Sequence, residues 1–221
     1  MHILNDLYQV QTNFKYTLFR IIMGSQWGKD KYYSKSRSEG YRSRAAYKLL
    51  DIQKRFGVIR DDDNVIDLGA APGSWMQVLR DLTSGCIVGV DLNPVAPVED
   101  TTMITGDFTT EQIQDKIISK INEVNVIVCD ASPKLSGSKS YDQARAIGLN
   151  QDAFEFACKV LKPGGNFVIK SFQGEMFSEL LNDIRKSFFS VKVYRTKASR
   201  RGSTETYIIA KKFRGYNAAS D

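Results

Sequence analysis

The chain has 221 residues, 42% of them hydrophobic and 25% charged, which suits one globular domain with a sizeable core. Three cysteines without paired spacing and a single histidine, His2, exclude a disulfide framework, a zinc or other metal site and histidine catalysis; no run is long and apolar enough to span a bilayer or order itself as a secretion signal. The net charge of +6 is uneven, with nine Lys/Arg against three acids in 29–55, ten against one in 185–214 and −9 over the remainder, a split that suits a polyanion meeting two basic regions.

Taken in chain order, residues 12–22 are mildly amphipathic, and Met23 would serve equally well as a start. Residues 1–22 are expected to lie outside the core, leaving 23–221 as one domain that acts as a cytoplasmic monomer without membrane contact. From Ser43 to Phe56, the residues Ala46, Leu49, Leu50 and Phe56 fall at helical spacing, with Ser43 placed to cap the first turn. Short apolar runs then read as buried strands at Asn64–Leu68, Cys86–Leu92, Thr102–Thr105, Val124–Cys129 and Gly165–Lys170, followed by Val191–Tyr194 and Thr206–Lys211.

Helical patterns fill the gaps at about 74–82, 110–121, 143–161 and 175–186. Lys162-Pro163-Gly164-Gly165 is expected to end the third of these, with glycine as its left-handed cap. The last two strands have no helix between them and are expected to pair antiparallel. This pattern predicts an α/β fold with a seven-stranded, mostly parallel sheet and a terminal antiparallel strand, the arrangement of the Rossmann-like S-adenosylmethionine-dependent methyltransferase fold.

In such a sheet a ligand sits beyond the carboxyl ends of the strands, and the first strand-to-helix turn approaches it most closely. Here that turn is Asp67-Leu68-Gly69-Ala70-Ala71-Pro72-Gly73-Ser74-Trp75. Its Asp-x-Gly-x-x-x-Gly spacing differs from the Gly-x-Gly-x-x-Gly that cradles a pyrophosphate, which disfavours a dinucleotide. S-adenosylmethionine has no phosphate, so the turn needs a tight bend at Gly69, backbone room at Gly73 and a wall, for which Trp75 is available. Asp91, ending the second strand, is placed to take ribose hydroxyls. Asp107, after the third, is placed to accept from an adenine amino group, with Phe108 to stack on the ring. A helix cap or a solvated loop is the bland reading of each carboxylate taken singly.

Methyl transfer to a ribose hydroxyl is an in-line displacement and needs a base beside the reacting centre. With histidine excluded, the candidates are lysines and carboxylates at strand ends: Asp130 in Cys129-Asp130-Ala131-Ser132-Pro133-Lys134 and Lys170 in Phe167-Val168-Ile169-Lys170-Ser171-Phe172. A lysine becomes a base near neutral pH through burial and neighbouring cations. Lys48 would supply such a charge, while Glu205 and Asp130 would hold and orient the ammonium, and these opposing signs leave the net direction open. An ordinary ion pair with Asp130 is the other reading of Lys170.

Together with Ser43-Arg44-Ala45-Ala46-Tyr47-Lys48-Leu49, Val90-Asp91-Leu92 and Gly106-Asp107-Phe108, these segments resemble the FtsJ/RrmJ family of RNA ribose 2′-O-methyltransferases, in the family's order and over about residues 24–213. The resemblance implies a catalytic tetrad of Lys48, Asp130, Lys170 and Glu205, with Lys170 as proton acceptor. Glu205 is carried over on the Ser203-Thr204-Glu205-Thr206-Tyr207 pattern. For the cofactor it points to Gly73, Trp75, Asp91, Asp107 and Asp130.

The resemblance also raises the expectation that both basic segments bind RNA. Arg37, Arg42 and Arg44 flank Lys48, and Arg195, Lys197, Arg200 and Arg201 lead into Glu205. Tyr32, Tyr33 and Tyr47 are candidates for stacking on an exposed base, although packing is the commoner role for a helical tyrosine such as Tyr47. Compact members of the family act on a uridine of large-subunit ribosomal RNA, so ribosomal RNA or the large ribosomal subunit is the expected partner. A tRNA ribose methyltransferase and a non-catalytic, RNA-binding ribosome-assembly factor are the alternatives. An amino-methylating enzyme is disfavoured, because Asp130-Ala131-Ser132-Pro133 stands where such enzymes usually carry an Asn/Asp-Pro-Pro-aromatic clamp.

Overall fold

A computed structural model of the protein describes residues 31–134, 136–174, 176–200 and 202–215. The expectation for residues 1–22 and the RNA contact assigned to Arg201 lie outside the described residues. The elements, in chain order, are α1 (Lys31–Ser38), α2 (Ala46–Phe56), β1 (Val65–Leu68), α3 (Ser74–Leu82), β2 (Ile87–Asp91), β3 (Thr102–Thr105), α4 (Glu111–Ile118), β4 (Val124–Cys129), α5 (Lys139–Val160), β5 (Leu161–Phe172), α6 (Phe177–Ser187), β6 (Phe188–Tyr194) and β7 (Glu205–Phe213). Among the described residues they form one seven-stranded sheet in the order β3-β2-β1-β4-β5-β7-β6. All pairings through β5 are parallel, and β7 runs antiparallel to both β5 and β6, as the strand patterns predict.

Alternation along the central strands sends successive side chains to opposite faces and divides the core in two. Val65, Val126, Val128, Val168 and Ile209 pack with Leu49 and Ile52 of α2 and Met76, Val78 and Leu79 of α3. Ile66, Leu68, Ile127, Phe167 and Ile169 pack with Ile113 and Ile117 of α4, Phe156 of α5 and Ile184 of α6. Each of these side chains, taken fully out of water, contributes about 1.5–3 kcal/mol before the entropy of ordering it. No helix among the described residues is long and apolar enough to cross a membrane.

The register places the functional segments. Leu68 lies level with Val90 on one side and Cys129 on the other, and Cys129 lies level with Ile169. The next residues along, Gly69, Asp91, Asp130 and Lys170, therefore emerge in one row at the carboxyl edge, and Lys170 pairs with Tyr207. Strand order reverses between β1 and β4. The row straddles that switch point, where a crevice opens.

Two local expectations are corrected, and one helix is unanticipated. Ser43 caps no helix: α2 begins at Ala46, and Ser43 Oγ instead accepts the Ala45 N–H at 3.1 Å in the preceding turn. The third helical pattern runs straight into extended backbone at Leu161 rather than into a glycine cap. Leu161 pairs with Val124 and Asn166 with Val126, so Lys162-Pro163-Gly164-Gly165 is looped out within β5, with Gly164 taking the positive φ. Helix α1 has no counterpart in the sequence reading because it buries only Ser36 and carries no apolar stripe.

Candidate active site

A cavity of about 740 Å³ opens over the switch point. Its lining includes Gly69, Asp91, Asp107, Phe108 and Asp130, five of the seven positions read as cofactor-binding from the sequence. Gly69 takes a φ of +80°, and a Cβ there would stand 2.7 Å from the Ala131 backbone, so only glycine lets the β1 turn close against the end of β4. Asp91 uses Oδ2 to accept the Ala71 N–H at 3.0 Å and Oδ1 to accept the Asn93 N–H at 2.8 Å. Asp107 Oδ1 accepts from the Thr109 N–H at 3.0 Å. Carboxylates at both strand ends and the Phe108 ring give the cavity the donor-seeking, flat-walled chemistry that suits an adenine nucleoside.

The other two positions lie behind the turn. Trp75 is 3% exposed, donates its indole N–H to the Ala45 carbonyl at 2.8 Å and packs 6.1 Å from the Tyr207 ring. It is a core residue of α3, not a cavity wall, because its place in the first helical turn aims it at the α2 face. Gly73 has a φ of +99° and backs onto the Arg42 guanidinium, again away from the cavity lining.

Asp67 does not line the cavity either. It is fully buried in β1, and both carboxyl oxygens lack a hydrogen-bond partner among the described residues. Burial pushes this carboxyl well above the usual carboxylate range, and Asp130 and Asp91 add to the effect. The folded chain thus holds a proton that the unfolded chain releases near pH 4, so stability falls as pH rises from there toward the raised value. Asp67→Asn is expected to raise the Tm of ligand-free protein more at pH 8 than at pH 5. A melting difference that does not grow across that interval contradicts the assignment.

Beside the cavity the structure brings together Lys48, Asp130, Lys170 and Glu205. Lys48 Nζ lies 2.8 Å from Glu205 Oε2 and 3.7 Å from Asp130 Oδ1, and Lys170 Nζ lies 3.3 Å from Asp130 Oδ1. Lys170 also donates to the Asp130 backbone carbonyl. All four side chains are largely out of water, Lys170 the most so at 8% exposed. Two buried cations balanced by two anions are tolerable only when further hydrogen bonds complete the set. Those come from Tyr207 Oη, which donates to Asp130 Oδ1 at 2.6 Å, and Ser199 Oγ, which donates to Glu205 Oε1 at 2.8 Å.

Tyr207 is the member missed by sequence reasoning. Its signal was its spacing: two residues after Glu205 on a strand puts it on the same face. Burial, then the Asp130 and Glu205 charges, push its hydroxyl well above the usual tyrosine value, so it remains a donor.

The basic segments are divided by the structure. Arg37, Arg195, Lys197 and Arg200 are exposed. Arg42 is not a free phosphate ligand: its guanidinium donates to the carbonyls of Pro72, Ala96 and Pro97 and clamps the β1 turn to the 94–98 segment. Arg44 donates to the Ala198 carbonyl and tethers the loop that leads to Glu205; burial and Arg200 lower its pKa, with Glu205 opposing. Tyr47 is 6% exposed, donates to Glu39 at 2.7 Å and packs against Tyr32 and Tyr41, which makes it packing and not a stacking platform.

The FtsJ-like methyltransferase family model matches residues 41–213. Ribosomal RNA large subunit methyltransferase E of Methanoculleus marisnigri is 68% identical over 194 residues, covering 87% of this chain and 96% of its own. The protein of the same name from Methanosphaerula palustris is 59% identical over 193 residues, covering 87% and 95%. A solved structure from Plasmodium falciparum, described as a ribosomal RNA methyltransferase, has the same fold, with a TM-score of 0.71 at 24% identity over 79% of this chain and all of that one.

Proposed function

This chain belongs to the FtsJ-like methyltransferase family, and from that premise we propose that it uses S-adenosylmethionine to methylate a ribose 2′-hydroxyl of large-subunit ribosomal RNA, at a uridine, with Lys170 as general base. The observation that carries this reading is the juxtaposition of the nucleoside-sized cavity with the Lys48, Asp130, Lys170 and Glu205 cluster, which share Asp130.

Gly69, Asp91, Asp107, Phe108 and Asp130 would hold S-adenosylmethionine, which when bound supplies an activated methyl group on a sulfonium. Lys170, near the carboxyl end of β5, faces the place where the acceptor hydroxyl would enter; as its free amine it takes that hydroxyl's proton while the new carbon–oxygen bond forms and the methyl's carbon–sulfur bond breaks, leaving S-adenosylhomocysteine. Asp130 fixes Lys170 through both its carboxylate and its carbonyl. Glu205 anchors Lys48, which brings a second positive charge against Asp130. Arg37, Arg195, Lys197, Arg200 and Arg201 supply sequence-independent phosphate contacts, so affinity for RNA falls steeply with salt.

The test is incubation with methyl-labelled S-adenosylmethionine and large ribosomal subunits lacking the modification, with tRNA as a second acceptor. Label recovered as a 2′-O-methylated uridine of large-subunit RNA is expected. Transfer to tRNA alone overturns the substrate assignment, and no transfer to either by protein that binds the cofactor favours an assembly factor over an enzyme.

A further inference from the structure

A second cavity of about 360 Å³ adjoins the first, and Ser132 and Pro133 line both. Its volume lies within the roughly 300–1,000 Å³ typical of small-molecule sites. Three of the strands that carry the catalytic cluster lead into it. Asp130 leads to Ser132 and Pro133, Lys170 to Phe172 two residues on, and Thr204 directly precedes Glu205. Phe172 is also level with Glu205 in the β5–β7 register. The facing wall comes from the first turns of α5, through Gln143 and Ala146.

Resting on the reading above, we propose that this second cavity receives the nucleobase of the acceptor nucleotide. A ribose carries its base on the carbon next to the one bearing the 2′-hydroxyl. With that hydroxyl at Lys170, the base must lie only a few ångströms away, in whatever space adjoins the cluster. The larger cavity is taken by the methyl donor, and this one adjoins it across Ser132 and Pro133. Its chemistry suits a base drawn out of its stack: Phe172, Pro133 and Ala146 offer apolar surface for the ring faces, while the Gln143 and Gln173 amides and the Thr204 hydroxyl offer donors and acceptors for the edge. Asp142 also borders the cavity, but its carboxylate is held by the Ser136 and Gly137 N–H groups at 2.7 and 3.1 Å.

Gln143 is built into this site from across the loop. Its amide lies so close over Gly174 that a methyl group there would overlap it. Gly174→Ala should therefore push the amide from its place and mimic Gln143→Ala.

The experiment compares wild type with Ala146→Phe, which fills the cavity, and with Gln143→Ala, Gly174→Ala and their double variant. Three quantities are read: S-adenosylhomocysteine affinity by calorimetry, Tm, and single-turnover methyl transfer to unmodified large subunits. Expected are unchanged cofactor affinity throughout, at least a hundredfold loss of transfer for Ala146→Phe, and about a tenfold loss for each of the other two, with the double variant no worse than either. The inference is overturned if Ala146→Phe, folded and binding cofactor normally, transfers within twofold of wild type. It is equally overturned if Gln143→Ala and the Gly174→Ala variant both leave transfer unchanged. Failure of wild type to transfer would count against the proposed function itself, a separate result.

Discussion

Lys170→Ala is expected to lower single-turnover methyl transfer by about 100- to 10,000-fold, the range a positioned general base supplies, while leaving S-adenosylmethionine affinity within about twofold. Lys170 is buried, and of the residues that would hold the cofactor its Nζ meets Asp130, beside the reacting centre, and not Asp91, Asp107 or Phe108 at the nucleoside end. Its removal also leaves Asp130 short of one cation, and breaking a buried pair commonly costs about 3–5 kcal/mol, so lost stability must be told apart from lost chemistry. Lys170→Arg makes that distinction. Guanidinium keeps the charge beside Asp130 but cannot accept a proton near neutral pH. Transfer should therefore be lost in both variants, while Tm falls less in the arginine one. Near-normal turnover in either variant would remove Lys170 from the role of base.

The second large effect is expected at the other end of the cavity. Asp91→Ala should raise the Kd for S-adenosylmethionine about a hundredfold, as befits the loss of hydrogen bonds to a charged acceptor at about 1.5–3 kcal/mol each. Two roles add at this position. The carboxylate borders the cavity, and it also holds the β1 turn through the Ala71 N–H and the following loop through the Asn93 N–H. Asp91→Asn retains one carbonyl acceptor and should fall between wild type and alanine. Because Asp91 has no part in proton transfer, saturating cofactor should restore most of the rate to Asp91→Ala and none to Lys170→Ala. If saturation leaves both equally slow, the division of the site into a holding end and a reacting end is wrong. Calorimetry with S-adenosylhomocysteine reads the affinity, and single-turnover transfer over a range of cofactor concentrations reads the rate.

Much of this site was legible as local pattern. Buried parallel strands announce themselves as short apolar runs, and the residues at or just past their carboxyl ends, Gly69, Asp91, Asp107, Asp130 and Lys170, fall at one edge of any sheet so built. What followed less well from pattern was the direction of side chains near the β1 turn. Trp75 and Arg42 look like ligands by type and position, yet one packs in the α3 core and the other clamps three carbonyls. Rotation about a helix axis and the path of a loop are set by what packs behind them. Residue type alone carries neither.

The sequence by itself determined the alternation of strands and helices, the antiparallel final pair and the chemical kind of each residue at a strand end, because these rest on periodicities of two and 3.6 residues that a short segment carries alone. Only the tertiary structure decided that Lys48 and Glu205, 157 residues apart, share a hydrogen bond, that Tyr207 completes the set, and that a second cavity opens beyond Lys170. Those contacts depend on strand register and on the packing of α2 over β4, β5 and β7. Each is a relation between distant segments, set when the whole core closes.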